Sequence, residues 1–192
     1  MLLEAVLLAV LAGFLLKGSL RRVPAIRLRG LALLLIPVAV ALLTRVSLPL
    51  RLIEAMGRPG SIALMLLRYG TLIVFALLNY REWSVDLIGL GGLSNCMVTV
   101  ANGGMMPVSR IVLRAGAGSA STRLLEEGRV FGYRLAGAST RLRFLGDMLR
   151  ARGFHVYLLS VGDLLIAVGL FCLVIRLMGA RAPWHPGRRA GR

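Results

Sequence analysis

The sequence predicts an all-α fold: a polytopic transmembrane bundle of about five spanning helices, with amphipathic interfacial helices between the fourth and the fifth. Three observations predict it. The chain is 57% hydrophobic with a mean hydropathy of +0.79, whereas soluble domains sit near roughly 45–50% apolar. The excess falls in five runs: Met1 to Leu16, Leu31 to Thr44, Ser61 to Asn79, Val85 to Ala101 and Val156 to Met178. Charges punctuate these runs instead of filling them. A span needs roughly 20 apolar residues. The last three runs qualify alone, and the first two qualify by borrowing flanks as far as Leu20 and Ser47. Open sheets are excluded from lipid because their unpaired backbone groups find no partner there.

The first run lacks the basic segment that precedes a cleavable signal. Its cations, Lys17, Arg21 and Arg22, follow it, which predicts an outer N-terminus and an inner first loop. The organisation that follows is residues 1–101 as helices one to four, 102–155 as a glycine-punctuated cap, 156–178 as the fifth helix and 179–192 as a basic tail. Residues 45–60 and 102–155 then lie outside, and 79–86 and the tail inside. The arginines of the long outer segment run against the positive-inside rule, which long segments follow poorly.

The net charge of +16 raises nucleic acid as a partner. The arginines form no basic domain, and contact with anionic membrane lipids accounts for them more simply. Cys96 and Cys172 lie in separate apolar runs with no Cys/His spacing around them, so no metal and no cofactor is expected. Within the cap, 119–135 and 139–149 read as amphipathic helices; in the second, Leu142, Leu145 and Leu149 share a face.

The polar residues inside the apolar runs are the candidate site. Asn95, Thr99 and Asn102 fall at i, i+4 and i+7, one stripe on a helix. They read either as glue between helices or as the wall of a pocket. Gly103 and Gly104 permit close backbone approach, and Pro107 ends the helix. Arg68 interrupts the third run about 10 Å in by helical rise, where it either pairs with an aspartate or snorkels. Asp163 stands three residues after Ser160, as in a capping box. Together with Asp147 it could instead form a carboxyl pair with split pKa values that activates a water.

The blocks "LGGLSNCMVTVANGGMMPVS", "TRLRFLGDML" and "SVGDLLIAVGLF" resemble those of an uncharacterised bacterial integral-membrane family, the domain of unknown function 5317 family. The resemblance runs from about Tyr69 to Met178. It implies a multi-pass plasma-membrane protein and no established activity. Where that family often carries a histidine before its second block, this chain has Tyr133 and Arg134. A second, weaker resemblance is to the bacterial lipoprotein signal peptidase. The order "ANGG", Asp147, "SVGD" is similar, although Ser160 replaces an asparagine and "LGDMLR" is a reduced motif. That resemblance implies Asp147 and Asp163 as a catalytic dyad, with Asn102 positioning the substrate.

Two functions follow as expectations. The first is an integral membrane protein, non-enzymatic or of unassigned activity, whose pocket at one membrane face holds a lipid head group, a small polar ligand or the helix of a partner membrane protein. Its binding residues would be Asn95, Thr99, Asn102, Gly103, Gly104 and Arg68. The alternative is a membrane-embedded aspartyl hydrolase. A transporter subunit is disfavoured because no inverted repeat is evident.

Overall fold

The computed structural model describes residues 2–21, 28–45, 50–116, 119–152 and 156–180. The basic tail expected over 179–192 lies outside them from residue 181 onward. Helix α1 (Leu2–Leu15) is followed by a 3-10 turn (Leu31–Leu34) that leads into α2 (Leu35–Arg45). Helix α3 (Leu50–Leu78) and α4 (Trp83–Ala101) form a hairpin. The cap holds β1 (Met106–Val108), α5 (Arg110–Gly116), α6 (Ser119–Glu126), β2 (Tyr133–Leu135), β3 (Leu149–Arg152) and β4 (Val156–Leu159), and α7 (Val161–Leu177) closes the chain.

The helices pack side by side in the order α2, α3, α4, α7, α1. Small residues set the spacing. Gly91 on α4 lies against the Gly162 carbonyl and Ile166 of α7, and Gly169 lies against the Ser84 carbonyl. A glycine carries no side chain, so the two backbones can meet closely there. Met65, Phe75, Val85, Ile88, Ile166 and Leu173 fill the space among α3, α4 and α7.

One end of the bundle is tied by Asn79, whose side chain bonds both Arg29 backbone groups at 2.9 Å. At the same end Glu82 pairs with Arg176 at 3.0 Å, and Ser19 N–H donates to the Met178 carbonyl. The cap covers the other end. In it β1 pairs in parallel with β2, Asp147 bridges β1 beside Val108, and β3 pairs antiparallel with β4.

Several expectations are corrected. Among the described residues, two helices are long and apolar enough to cross a membrane, Ala55–Leu78 and Trp83–Ala101, so the structure does not support five spans. Helices α1 and α2 have 14 and 11 residues, short of the roughly 20 required. The fifth run is divided, because Val156–Leu159 forms β4 and Ser160 starts α7. The 17 residues of α7 rise about 25 Å.

The fold is also not purely helical, since among the described residues the cap contains four short strands. The expected helix over 119–135 ends at Glu126, where Gly128 at φ 69° turns the chain. The expected helix over 139–149 is a turn, a 3-10 segment (Arg143–Leu145) and the start of β3. Leu142 at φ 49° and extended Gly146 break its periodicity. The expected loop over 45–60 is helical from Leu50, with a kink at Gly57 (φ 54°, ψ −165°) ahead of Pro59.

Candidate functional site

Helix α4 carries the predicted stripe into the cap end, but its three residues do different things. Asn95 is fully buried. Its Nδ2 donates to Asp163 Oδ1 at 2.9 Å, and its Oδ1 accepts from Ser160 Oγ at 2.8 Å. Ser160 and Asp163 complete the capping box of α7: Asp163 N–H donates to Ser160 Oγ at 2.9 Å, and Ser160 N–H donates to Asp163 Oδ2 at 3.2 Å. The helix start is thus keyed to α4 through one amide. Thr99 turns back on its own helix, donating to the Asn95 and Cys96 carbonyls. Neither Asn95 nor Thr99 lines the pocket described below.

Asn102 ends α4 and fastens the cap. Its Nδ2 donates to the Val98 carbonyl at 2.7 Å and the Arg141 carbonyl at 2.8 Å. Its Oδ1 accepts from Arg134 Nη2 at 2.6 Å and from Arg141 N–H at 3.1 Å. Gly103 and Gly104 have φ of 72° and 84°, and the Gly104 N–H returns to the Thr99 carbonyl at 2.8 Å, closing the helix as left-handed glycines do. Asn102 and Gly103 line an open pocket of about 600 Å³, together with Ser61, Arg58, Arg134 and Arg141. Among the described residues no acidic one lines it. Gly104 lies instead against the Ser61–Ile62 backbone.

A second cluster lies under the cap. Asp147 is 4% exposed, fixed by backbone bonds to Pro107 and Ser109. Its Oδ1 is buried and accepts no hydrogen bond from the described residues. Burial, then the Asp163 charge, pushes its carboxyl up to about 8, against an opposing pull from Arg68. Burial, with the Asp147 charge, also raises the Tyr133 hydroxyl. Arg68 lies over the Tyr69 ring, 5.2 Å from its centroid, with Tyr133 and Asp163 in electrostatic reach. Arg68, Asp147 and Asp163 therefore share one buried field.

The structure thus joins Asn95 to Asp163 and groups Arg68 with both aspartates. It separates Asn102 and Gly103, which face the pocket, from that group. Sequence reasoning missed Arg58, Arg134 and Arg141 as pocket residues. They come from α3, β2 and the loop after it, so no spacing links them. Among the described residues no three of His, Cys, Asp and Glu are arranged to hold a metal.

These features define a predominantly helical protein with two membrane-length apolar helices and a polar cap over one end of its bundle. The chain belongs to the Family of unknown function (DUF5317), whose family model matches residues 25–175. No curated protein and no solved structure matches it.

Proposed function

We propose that this is an integral membrane protein that holds a polar ligand in the cap pocket at one membrane face, in a bacterial plasma membrane. The carrying observation is the open pocket of about 600 Å³ at the capped end, a volume within the roughly 300–1,000 Å³ of small-ligand sites. The bundle's outward faces support the membrane. Only 33% of the most apolar 18-residue window of Ala55–Leu78 is buried, and Leu66, Leu67, Val74 and Leu77 are exposed along the helix. A soluble core helix would hide them, and an apolar surface of that extent calls for a cover. In this reading the two long helices cross the bilayer, and α1, α2 and α7 pack alongside them in the same bundle. A partner membrane protein would lie on the same apolar faces.

Cysteine labelling tests the reading. In a chain with Cys96 and Cys172 replaced by alanine, Ser139→Cys sits in the cap and Lys17→Cys at the opposite end. An impermeant maleimide should label one in intact cells and both after lysis. Labelling of both in intact cells, or release of the chain from membranes by alkaline carbonate, would reject it.

A second reading, the aspartyl hydrolase, is favoured by the buried Asp147 with its raised carboxyl beside Asp163. In it Asp147 acts as acid and Asp163 as base toward a water. Asp147→Asn and Asp163→Asn should then each abolish hydrolysis of a membrane substrate while leaving pocket binding intact. Turnover that survives both substitutions excludes the dyad.

A further inference from the structure

We infer that the cap pocket is a phosphate site, taking the phosphoryl oxyanion of a lipid head group or of a soluble phosphate ester. This deepens the pocket reading above and rests on it.

Three guanidinium groups meet around the pocket: Arg58 from the kink of α3, Arg134 from β2 and Arg141 from the following loop. None of them has a carboxylate partner among the described residues, so like charges gather there without a described acid to offset them. Among the described residues, their guanidinium donors have one hydrogen-bond acceptor, Asn102 Oδ1. Arg134 spends Nη2 on Asn102 Oδ1, while its Nε is buried and unpartnered. Asn102 grips both backbone groups of Arg141, which fixes where that side chain departs. The Arg58 side chain passes over Gly103, where a Cβ would sit 2.8 Å from its Nε. A glycine at 103 is what leaves room for it.

The chemistry selects the ligand. Guanidinium forks match the paired oxygens of phosphate in both spacing and charge, and several forks together favour a dianion over a lone carboxylate. Binding of this kind weakens as salt screens it. Met105, which also lines the pocket and is exposed, gives an apolar edge along which an acyl chain could lie.

The test uses the full chain in detergent, with three probes: inorganic phosphate, glycerol phosphate and short-chain phosphatidylglycerol. Titration calorimetry should give saturable, salt-sensitive binding to at least one. Arg134→Gln should weaken it at least tenfold, Arg58→Gln and Arg141→Gln each severalfold, and Arg110→Gln, on exposed α5, should leave it unchanged. Tighter binding of the lipid than of both soluble probes assigns a head group; equal or weaker binding assigns a soluble ester. If Arg134→Gln fails to fold, the two exposed arginines still decide. Binding of no probe, or binding indifferent to all three arginines, overturns the inference. Cysteine labelling separates the two failures: a chain that crosses the membrane yet binds no phosphate ends this inference alone.

Discussion

Asn95 Nδ2 on α4 lies 2.9 Å from Asp163 Oδ1 on α7, and the same amide accepts the hydroxyl of Ser160. One side chain therefore satisfies both members of a helix cap on a neighbouring helix. A capping box normally closes on itself; here it is also the contact that registers α7 against α4, one turn from the Gly91–Gly162 approach.

Asn95→Leu should therefore be costly although leucine is similar in size. It takes the amide away from the part-buried Asp163 Oδ1 and leaves the buried Ser160 hydroxyl without its acceptor, a loss of about 1–3 kcal/mol. Thr99→Val removes only a hydroxyl that bonds carbonyls of its own helix, and should cost less than about 1 kcal/mol. Thermal unfolding in detergent separates them. Equal midpoints for the two variants would show that the amide does not register the helices.

Asp147 should make stability fall as pH rises. Its folded carboxyl titrates at about 8, against an ordinary value of 3.8. Between those values the folded chain keeps a proton that the unfolded chain has lost, so stability is greatest below the window and declines across it. Asp147→Asn should flatten the profile and stabilise the protein at about pH 9 but not at about pH 4. A wild-type midpoint that does not drop from neutral to alkaline pH contradicts the buried, unpartnered carboxyl.

The parts of this fold that were legible in sequence are those encoded locally. The S-x-x-D spacing of Ser160 and Asp163 announced the cap, and the apolar runs announced α3 and α4. Apolarity could not reveal that Val156–Leu159 pairs as a strand, because β4 and α7 are equally greasy and only Ser160 separates them. Leu142, Leu145 and Leu149 imitate a helical face, yet Leu142 adopts a left-handed φ that no periodicity encodes. Strands of three or four residues are too short to display alternation. The pocket was illegible for a different reason. Arg58 and Arg141 are brought together by tertiary packing, through the four bonds of Asn102 and the kink at Gly57, and the stripe on α4 pointed inward to Asn95 as readily as outward.

Glycine substitutions should divide by surroundings. Gly104 has φ 84°, and a Cβ there would lie 2.6 Å from the Ser61 carbonyl carbon. Gly104→Ala should cost more than about 1 kcal/mol, since both strain and collision oppose it. Gly70, inside α3 with nothing within 4 Å of its Cβ position, should accept alanine with a gain of up to about 1 kcal/mol. Unfolding midpoints should move in opposite directions. A tolerated Gly104→Ala would mean that the end of α4 does not press against α3.

Asn102 should couple cap order to anion binding. Asn102→Ala removes all four of its bonds. It frees Arg134 and the Arg141 backbone, so limited proteolysis should cut the exposed 137–143 loop faster, and phosphate affinity should fall. Asn102→Asp separates the two effects. It retains an acceptor for Arg134 but adds a negative charge to a pocket lined by no acid. At about 4 Å such a charge opposes a bound anion by about 1 to 4 kcal/mol, depending on the local dielectric. The aspartate variant should thus lose phosphate binding about tenfold or more, while its loop stays better protected than that of the alanine variant. If Asn102→Asp bound phosphate as tightly as the parent chain, the anion would have to sit away from Arg134, and the three arginines would not form one site.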